Sequence, residues 1–417
     1  MSTLKGRPLD VARASPRLRL LGVLACALLV HLAVGLSLQA VPVLAPVLLP
    51  ESGVPLHRLG LVASTTAVGT VLGLLAARHP ALRLSPSSTL QASCLLLVAG
   101  VALVTTASAL PLFVAALVLG LGRAQTTPSA AQMLGAVPGG SSALAFSVLQ
   151  SGAPAGGVLC GLLLPAVAAQ HGWRVSVAVA AAVSVTAALA VQPLRRWGLH
   201  VGSAAVPPRE SLASPLALLR RRDGMAQLAL IACALAAAQI SCMLFAVTFM
   251  VESLATSLGE AGVAFAAMNA AGLLARPVAG WLADRARRPA VNLLLQGAVA
   301  SLAVLAFSVL PREPSTGLLL ASASLVGLTA FSWQGLVLAE VARRAGAAQV
   351  GDAVAGVLFL VMVSGLGAGP ALASLVLSLT GSWSLYLSGT SLVLGLTTLA
   401  AARVLLRGDA GERCSGP

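Results

Sequence analysis

Gly280-Trp-Leu-Ala-Asp-Arg-Ala-Arg-Arg-Pro289 stands between two long apolar runs. Acid, base and small side chains at the mouth of a hydrophobic helix read as a hinge between two membrane spans. Helices that move against one another follow, and a soluble enzyme becomes a poor second reading. Composition agrees: the 417-residue chain is 58% hydrophobic and 9% charged, with a mean hydropathy of +0.95. A soluble fold of this length cannot hide that much apolar side chain, whereas lipid accepts it on the outer surface.

Set against the roughly 20 residues needed to cross a bilayer, the apolar runs number twelve. They lie near 20–48, 59–77, 87–107, 109–135, 142–169, 175–193, 226–251, 261–283, 290–310, 316–341, 352–378 and 384–406, with an indistinct boundary near Ser108 between the third and fourth. Each exceeds the roughly 9–11 residues of a barrel strand and lacks its alternation. The expected fold is therefore all-α: twelve transmembrane helices in two six-helix bundles, residues 1–193 and 225–417, joined by a basic linker at 194–224 that holds Pro207, Pro208 and Arg220-Arg-Arg222.

Positive charge sets the orientation. Twelve spans place Lys5, Arg7, Arg78, Arg83, Arg195, Arg209, Arg285, Arg343, Arg344 and Arg407 on one face, and only Arg58, Arg174 and Arg312 on the other. By the positive-inside rule both termini are cytoplasmic, as expected of a multi-pass protein of a bacterial plasma membrane. The net charge of +14 then reflects topology and anionic lipid. The bases are dispersed and carry no aromatic stacking platform, which argues against nucleic acid. The first run is too long for a cleavable signal and stays as a span. Six cysteines, none closely paired, read as packing residues. No H-E-x-x-H, P-loop or serine-elbow motif is present, so no catalysis, metal or cofactor is expected.

The halves echo one another. Gly73-Leu-Leu-Ala-Ala-Arg78 matches Gly280-Trp-Leu-Ala-Asp-Arg285, and Ser151-Gly-Ala-Pro-Ala-Gly-Gly157 matches Ser364-Gly-Leu-Gly-Ala-Gly-Pro370. On these motifs the chain resembles the major facilitator superfamily of secondary transporters over nearly its whole length. In that family a G-x-L-x-D-R-x-x-R-R type motif joins spans two and three and recurs between spans eight and nine. Gly280, Leu282, Asp284, Arg285 and Arg288 fit the second copy, with Pro289 in place of the last arginine. The first copy is degraded, with Ala77 where an aspartate is usual. The resemblance implies alternating access, with Gly280, Asp284, Arg285 and Arg288 as gating residues. The plainer reading makes these arginines positive-inside anchors and Asp284 a local cap.

Gly152, Pro154, Gly156 and Gly157 in the fifth span resemble the glycine and proline motif of exporter-like members, and Gly365, Gly369 and Pro370 lie in the eleventh. Helix packing and special motion both remain open for them. Arg123 lies roughly 18 Å from either mouth of the fourth span by helix rise, a depth at which a fixed cation faces a cavity, a bound anion or helix carbonyls. Arg276 reads either as a second anion-recognising group or as a tie at the inner end of the bundle. His31 is the least implausible proton-coupling group, with a packed hydrogen-bonded imidazole as the alternative. Ser332, Trp333 and Gln334 interrupt the tenth span and form the preferred direct contact to substrate. Gln39, Gln132, Gln150, Gln239 and Asn269 are expected to be buried; Trp173, Trp281 and Trp383 are expected to be interface anchors. Glu340 and Asp352 are placed at inner mouths, and no carboxylate is expected inside the spans.

Secondary transport of a small anionic or polar organic solute therefore leads. Efflux of hydrophobic drugs is the runner-up, and a non-transporting membrane protein comes third. The expected partners are a small-molecule substrate, membrane lipid and a coupling proton at His31, in a monomer.

Overall fold

The computed structural model describes residues 16–77, 79, 84–137, 143–196, 224–286, 289–345 and 350–414. Among them every long element is helical, and twelve helices are long and apolar enough to cross a membrane. Spans 1 to 6 are Arg17–Glu51, Leu56–Ala76, Pro86–Val104, Ala109–Gly135, Val148–His171 and Trp173–Leu194. Spans 7 to 12 are Met225–Glu252, Leu258–Ala279, Ala290–Ser308, Thr316–Ala345, Gly356–Thr380 and Trp383–Leu406. The indistinct boundary near Ser108 is a short extended link, with Ala107 at φ +51°. Most of the linker at 194–224 lies outside the described residues.

Local chemistry fixes the helix starts. Ser85 accepts the Ser88 amide at 3.3 Å ahead of Pro86 to open span 3, and Ser315 accepts the Leu318 amide at 3.4 Å to open span 10. Span 8 begins on a reciprocal cap: Glu260 accepts the Ser257 amide at 3.0 Å while Ser257 Oγ accepts the Glu260 amide at 3.2 Å.

Lipid tails are as apolar as leucine, so close packing of small residues must hold the helices together. Span 1 packs on span 5, span 2 on span 4 and span 3 on span 6; in the second half span 8 packs on span 10 and span 9 on span 12. The halves meet where span 1 touches span 7, span 2 touches span 11, and span 5 touches span 8. We call the end carrying both chain termini the base and the opposite end the apex.

The buried apolar residues separate into two clusters. The larger joins the whole second half to the apical parts of spans 1 to 6, through residues such as Leu44, Leu59, Val101, Leu112, Leu164 and Val177. The smaller contains only the basal parts of the first half, among them Ala27, Leu90, Met133, Leu149 and Val191. The two halves thus share one core at the apex and hold separate cores toward the base. Two joints close the apex. Gly161 and Gly262 approach so closely that a Cβ on either would lie 2.5 Å from the other's carbonyl oxygen. Gly60 sits closer still on the Pro370 carbonyl, beside Leu61, whose amide donates to Ser374 Oγ at 3.1 Å.

Two tryptophans correct the sequence reading. Trp173 and Trp383 are buried, and only Trp281 is exposed as an interface anchor would be. Trp383 packs 5.7 Å from the Phe245 ring, while the Arg174 guanidinium covers Trp173 at 4.5 Å and pairs with Glu51 at 2.9 Å. Core packing outweighs headgroup contact at these span ends.

Candidate functional site

Spans 4 and 10 are both broken near mid-depth, at matching places. Span 4 consists of helices Ala109–Ala124 and Thr126–Gly135, with Gln125 at φ −102° and ψ 2° between them. Pro128 lacks an amide hydrogen, so the Ala124 carbonyl has no helical donor and the chain turns here. Thr126 Oγ1 donates to the Arg123 carbonyl at 2.8 Å, and Gln125 Nε2 reaches the Gly73 carbonyl at 3.4 Å. Span 10 consists of Thr316–Ala330 and Gln334–Ala345, with Phe331 to Trp333 between them. Gln125 and Ser332 are 207 residues apart, as are Gly120 and Gly327, and as are Gly73 and Gly280. Gly120 lies against the backbone of span 2 and Gly327 against that of span 8, so the internal duplication is structural as well as sequential.

Arg123 sits at the first break. Gly120, Leu121 and Ala124 turn toward span 2, and Leu119 and Gly122 toward span 3. Arg123 lies on the remaining side with Thr127, four residues on, whose hydroxyl is 3.1 Å from His31 Nε2 in span 1. Arg123 is half-buried as a residue, and among the described residues no hydrogen bond or ion pair reaches its guanidinium. A permanent cation in that position, inside the bundle and with no acceptor among the described residues, can receive an anion. His31 itself is buried. Its Nδ1 donates to the Ala27 carbonyl at 2.8 Å, which leaves Nε2 to accept from the Thr127 hydroxyl.

The second break is a hydrogen-bonded knot. Gln239 Oε1 of span 7 accepts Trp333 Nε1 and Gln334 Nε2, each at 2.9 Å. Gln296 Nε2 of span 9 donates to Ser332 Oγ at 2.8 Å and to the Thr329 carbonyl at 2.9 Å. Arg276 Nε of span 8 donates to the Phe331 carbonyl at 3.2 Å, taking the place of the helical amide lost at the break. Ser332, Trp333 and Gln334 therefore come together with Arg276 and crosslink spans 7, 8, 9 and 10. Gln334 Oε1 remains buried with no partner among the described residues. Gln296 was missed in the sequence, although an amide in the middle of an apolar run was the available signal.

Other candidates fall elsewhere. In span 5, Gly152 packs on the His31 Cβ and Gly156 on the backbone of span 1; Pro154 lies between them inside the helix. In span 11, residues Met362–Ala368 wind as a π-helix that includes Gly365, followed by Gly369 and Pro370 at the start of the next helix. Such π segments are frequent at functional sites, and Ser64 of span 2 donates to the Gly367 carbonyl at 2.7 Å. Gly280, Asp284 and Arg285 lie in the helix ending at Ala286. The Asp284 and Arg285 side chains, and Arg288 as a whole, are outside the described residues. Gln150 is exposed and Gln132 half-buried, contrary to the sequence reading, because they do not face the packed side of their helices. Glu340 lies near the basal end of span 10, where the sequence reading puts it, but is fully buried there, accepting from Arg343 Nε at 2.8 Å and from Arg344 Nε. Its arginines three and four residues on supply the charge that makes burial tolerable.

The sequence profile described as Major Facilitator Superfamily matches residues 25–357. The chain belongs to the major facilitator superfamily. No curated protein matches its sequence significantly. Among solved structures, a nucleoside transporter, NupG, is similar at 15% identity with a TM-score of 0.75, covering 93% of this chain and 99% of its own. A bacterial homolog of the human lysosomal transporter Spinster, inward-facing and occupied, gives 16% identity and a TM-score of 0.71 over 92% and 97% of the two chains. A peptide transporter, POT, gives 14% and 0.73 over 93% and 94%. These likenesses are of fold. As a multi-pass membrane protein of the major facilitator superfamily, the chain is a secondary transporter working by alternating access rather than an enzyme.

Proposed function

We propose that this transporter carries a small anionic or polar organic solute, recognised by Arg123 in a cavity that opens at the base. The observation carrying this reading is the Arg123 guanidinium, set at the break of span 4 on the side shared with the His31 and Thr127 pair and unmet by any acceptor among the described residues. The separate apolar cores toward the base support access from that end. With the arginines placed by the positive-inside rule, the base is cytoplasmic, in a bacterial plasma membrane. Trp333, the aromatic that a hydrophobic-drug reading would use, is buried and tied to Gln239, which weighs against that alternative. The His31 hydrogen bonds support a packing role as well as they support proton coupling.

Screening carboxylates and neutral solutes in proteoliposomes with Arg123→Gln and Arg123→Lys tests the assignment. A charge-assisted hydrogen bond is worth about 1.5–3 kcal/mol, so Arg123→Gln should weaken an anion by about ten- to a hundredfold. Arg123→Lys should weaken it less, because charge stays while the forked geometry is lost. Unaltered anion transport in Arg123→Gln contradicts the reading.

A further inference from the structure

A groove runs down the outside of the joint between spans 5 and 8 at the apex. It is lined by Leu162 and Pro165 of span 5, Glu260 and Val263 of span 8, and Thr316 and Leu319 of span 10, and its volume is about 320 Å³. Pockets of ~300–1,000 Å³ are of a size to hold small molecules. A Cβ on Gly262 would lie 2.5 Å from the Gly161 carbonyl oxygen and 2.5 Å from Pro165 Cγ, so the contact of the two glycines forms the wall behind the groove. That wall separates it from the space between the halves. Leu162 and Val263, each 44% exposed, turn outward as lipid-facing side chains do. Glu260 and Thr316 stand in the first turn of their spans, at headgroup level, while Leu162 lies roughly 14 Å below His171, the apical end of span 5. The groove therefore carries an acid at its rim and apolar side chains below.

Glu260 supplies the one charge of the lining. Its Oε2 accepts the Ser257 amide at 3.0 Å and the Ser257 hydroxyl at 2.8 Å, and among the described residues Oε1 has no bond and no base pairs with the side chain. A carboxylate at the rim of an apolar groove favours a lipid with a cation at its head. An ammonium that donates N–H fits it better than a trimethylated one, which cannot donate. We propose that the groove binds a phospholipid with a primary ammonium headgroup, the ammonium on Glu260 and an acyl chain along Leu162, Pro165 and Leu319. Span 5 belongs to the first half and spans 8 and 10 to the second, so the groove exists only while the apex is shut. A ligand that binds one form shifts the balance toward it, and the bound lipid therefore favours the apex-closed form. This holds whatever solute the transporter carries.

Native mass spectrometry of the purified full-length protein with dioleoylphosphatidylethanolamine, or with the N-trimethylated dioleoylphosphatidylcholine, tests the site. The two lipids share their chains and net charge. The ethanolamine lipid should bind about two- to fivefold tighter, the scale of an exposed ion pair. Glu260→Gln should abolish that preference while keeping the helix cap, because glutamine accepts the same Ser257 bonds. Gly259→Leu should weaken both lipids, since a Cβ there meets nothing nearer than Ser257 Oγ at 4.0 Å and the new side chain fills the groove. Equal binding of the two lipids, a preference that persists in Glu260→Gln, or unchanged binding in Gly259→Leu overturns the site. The effect on the apex is read in vesicles of dioleoylphosphatidylglycerol mixed equally with either lipid. An impermeant thiol reagent on the apical side should label Ser64→Cys, at the other apical joint, more slowly with the ethanolamine lipid, and the difference should vanish when Glu260→Gln is added. A labelling rate indifferent to the headgroup, or equally sensitive to it in Glu260→Gln, overturns that effect.

Discussion

Glu340→Gln is expected to lower the unfolding free energy of the protein by about 3–5 kcal/mol, the scale for breaking a buried ion pair from one side. The carboxylate is fully buried and holds Arg343 Nη2 at 2.7 Å and Arg344 Nε, the latter on a side chain only 8% exposed. Arg344 in turn donates to the Leu405 carbonyl of span 12 at 3.4 Å and packs against Gly224 at the start of span 7. One carboxylate therefore organises the basal ends of three spans. The loss should appear as a lower unfolding midpoint of the detergent-purified variant. Replacing Glu340 and Arg344 together with leucine should cost much less than the sum of the single changes, because the pair's desolvation cost is removed along with its attraction. Additive losses would show that the two side chains act independently.

The second large effect is expected at the apex. Gly262→Val puts a branched side chain where even a Cβ meets the Gly161 carbonyl, and the neighbour is backbone, which cannot rotate away. Overpacking of this kind costs about 1–3 kcal/mol. The cost falls only on the arrangement in which spans 5 and 8 touch, so it should shift the conformational balance by about 5- to 150-fold toward an apex-open form. A cysteine placed at Ser64, which donates across the span 2 and span 11 joint, should then react faster with an impermeant thiol reagent added on the apical side. An unchanged labelling rate in a folded variant would show that this joint does not separate during the cycle.

Apolar run length alone gave the twelve spans, because each helix must satisfy its backbone internally across the hydrocarbon. The duplication was visible in Gly73 and Gly280, but its structural content was not: Gln125 and Ser332 share no residue type, and only the broken helices show that they correspond. Arg123 could be singled out by depth. What surrounds it could not, since the His31 and Thr127 pair joins residues 96 apart in sequence. Arg276 drew attention as a cation, whereas its observed bond is to a backbone carbonyl exposed by the break in span 10. The place of Glu340 at the basal end of span 10 could be read from its apolar run; its burial was not, although Arg343 and Arg344 three and four residues on already supplied a means of burying it. The Gln39 and Asn269 side chains can both lie against the Gly157 Cα only because Gly157 has no side chain, and no single stretch of sequence contains all three.

Counterflow in proteoliposomes tests the central claim most directly. Vesicles preloaded with an unlabelled solute, chosen from those that bind the purified protein, are diluted into a trace of the same solute labelled. An alternating-access carrier should accumulate label transiently above its outside concentration, with the solute recovered chemically unchanged and the overshoot reduced in Arg123→Gln. Label that only equilibrates, or is recovered as a different compound, would contradict the account.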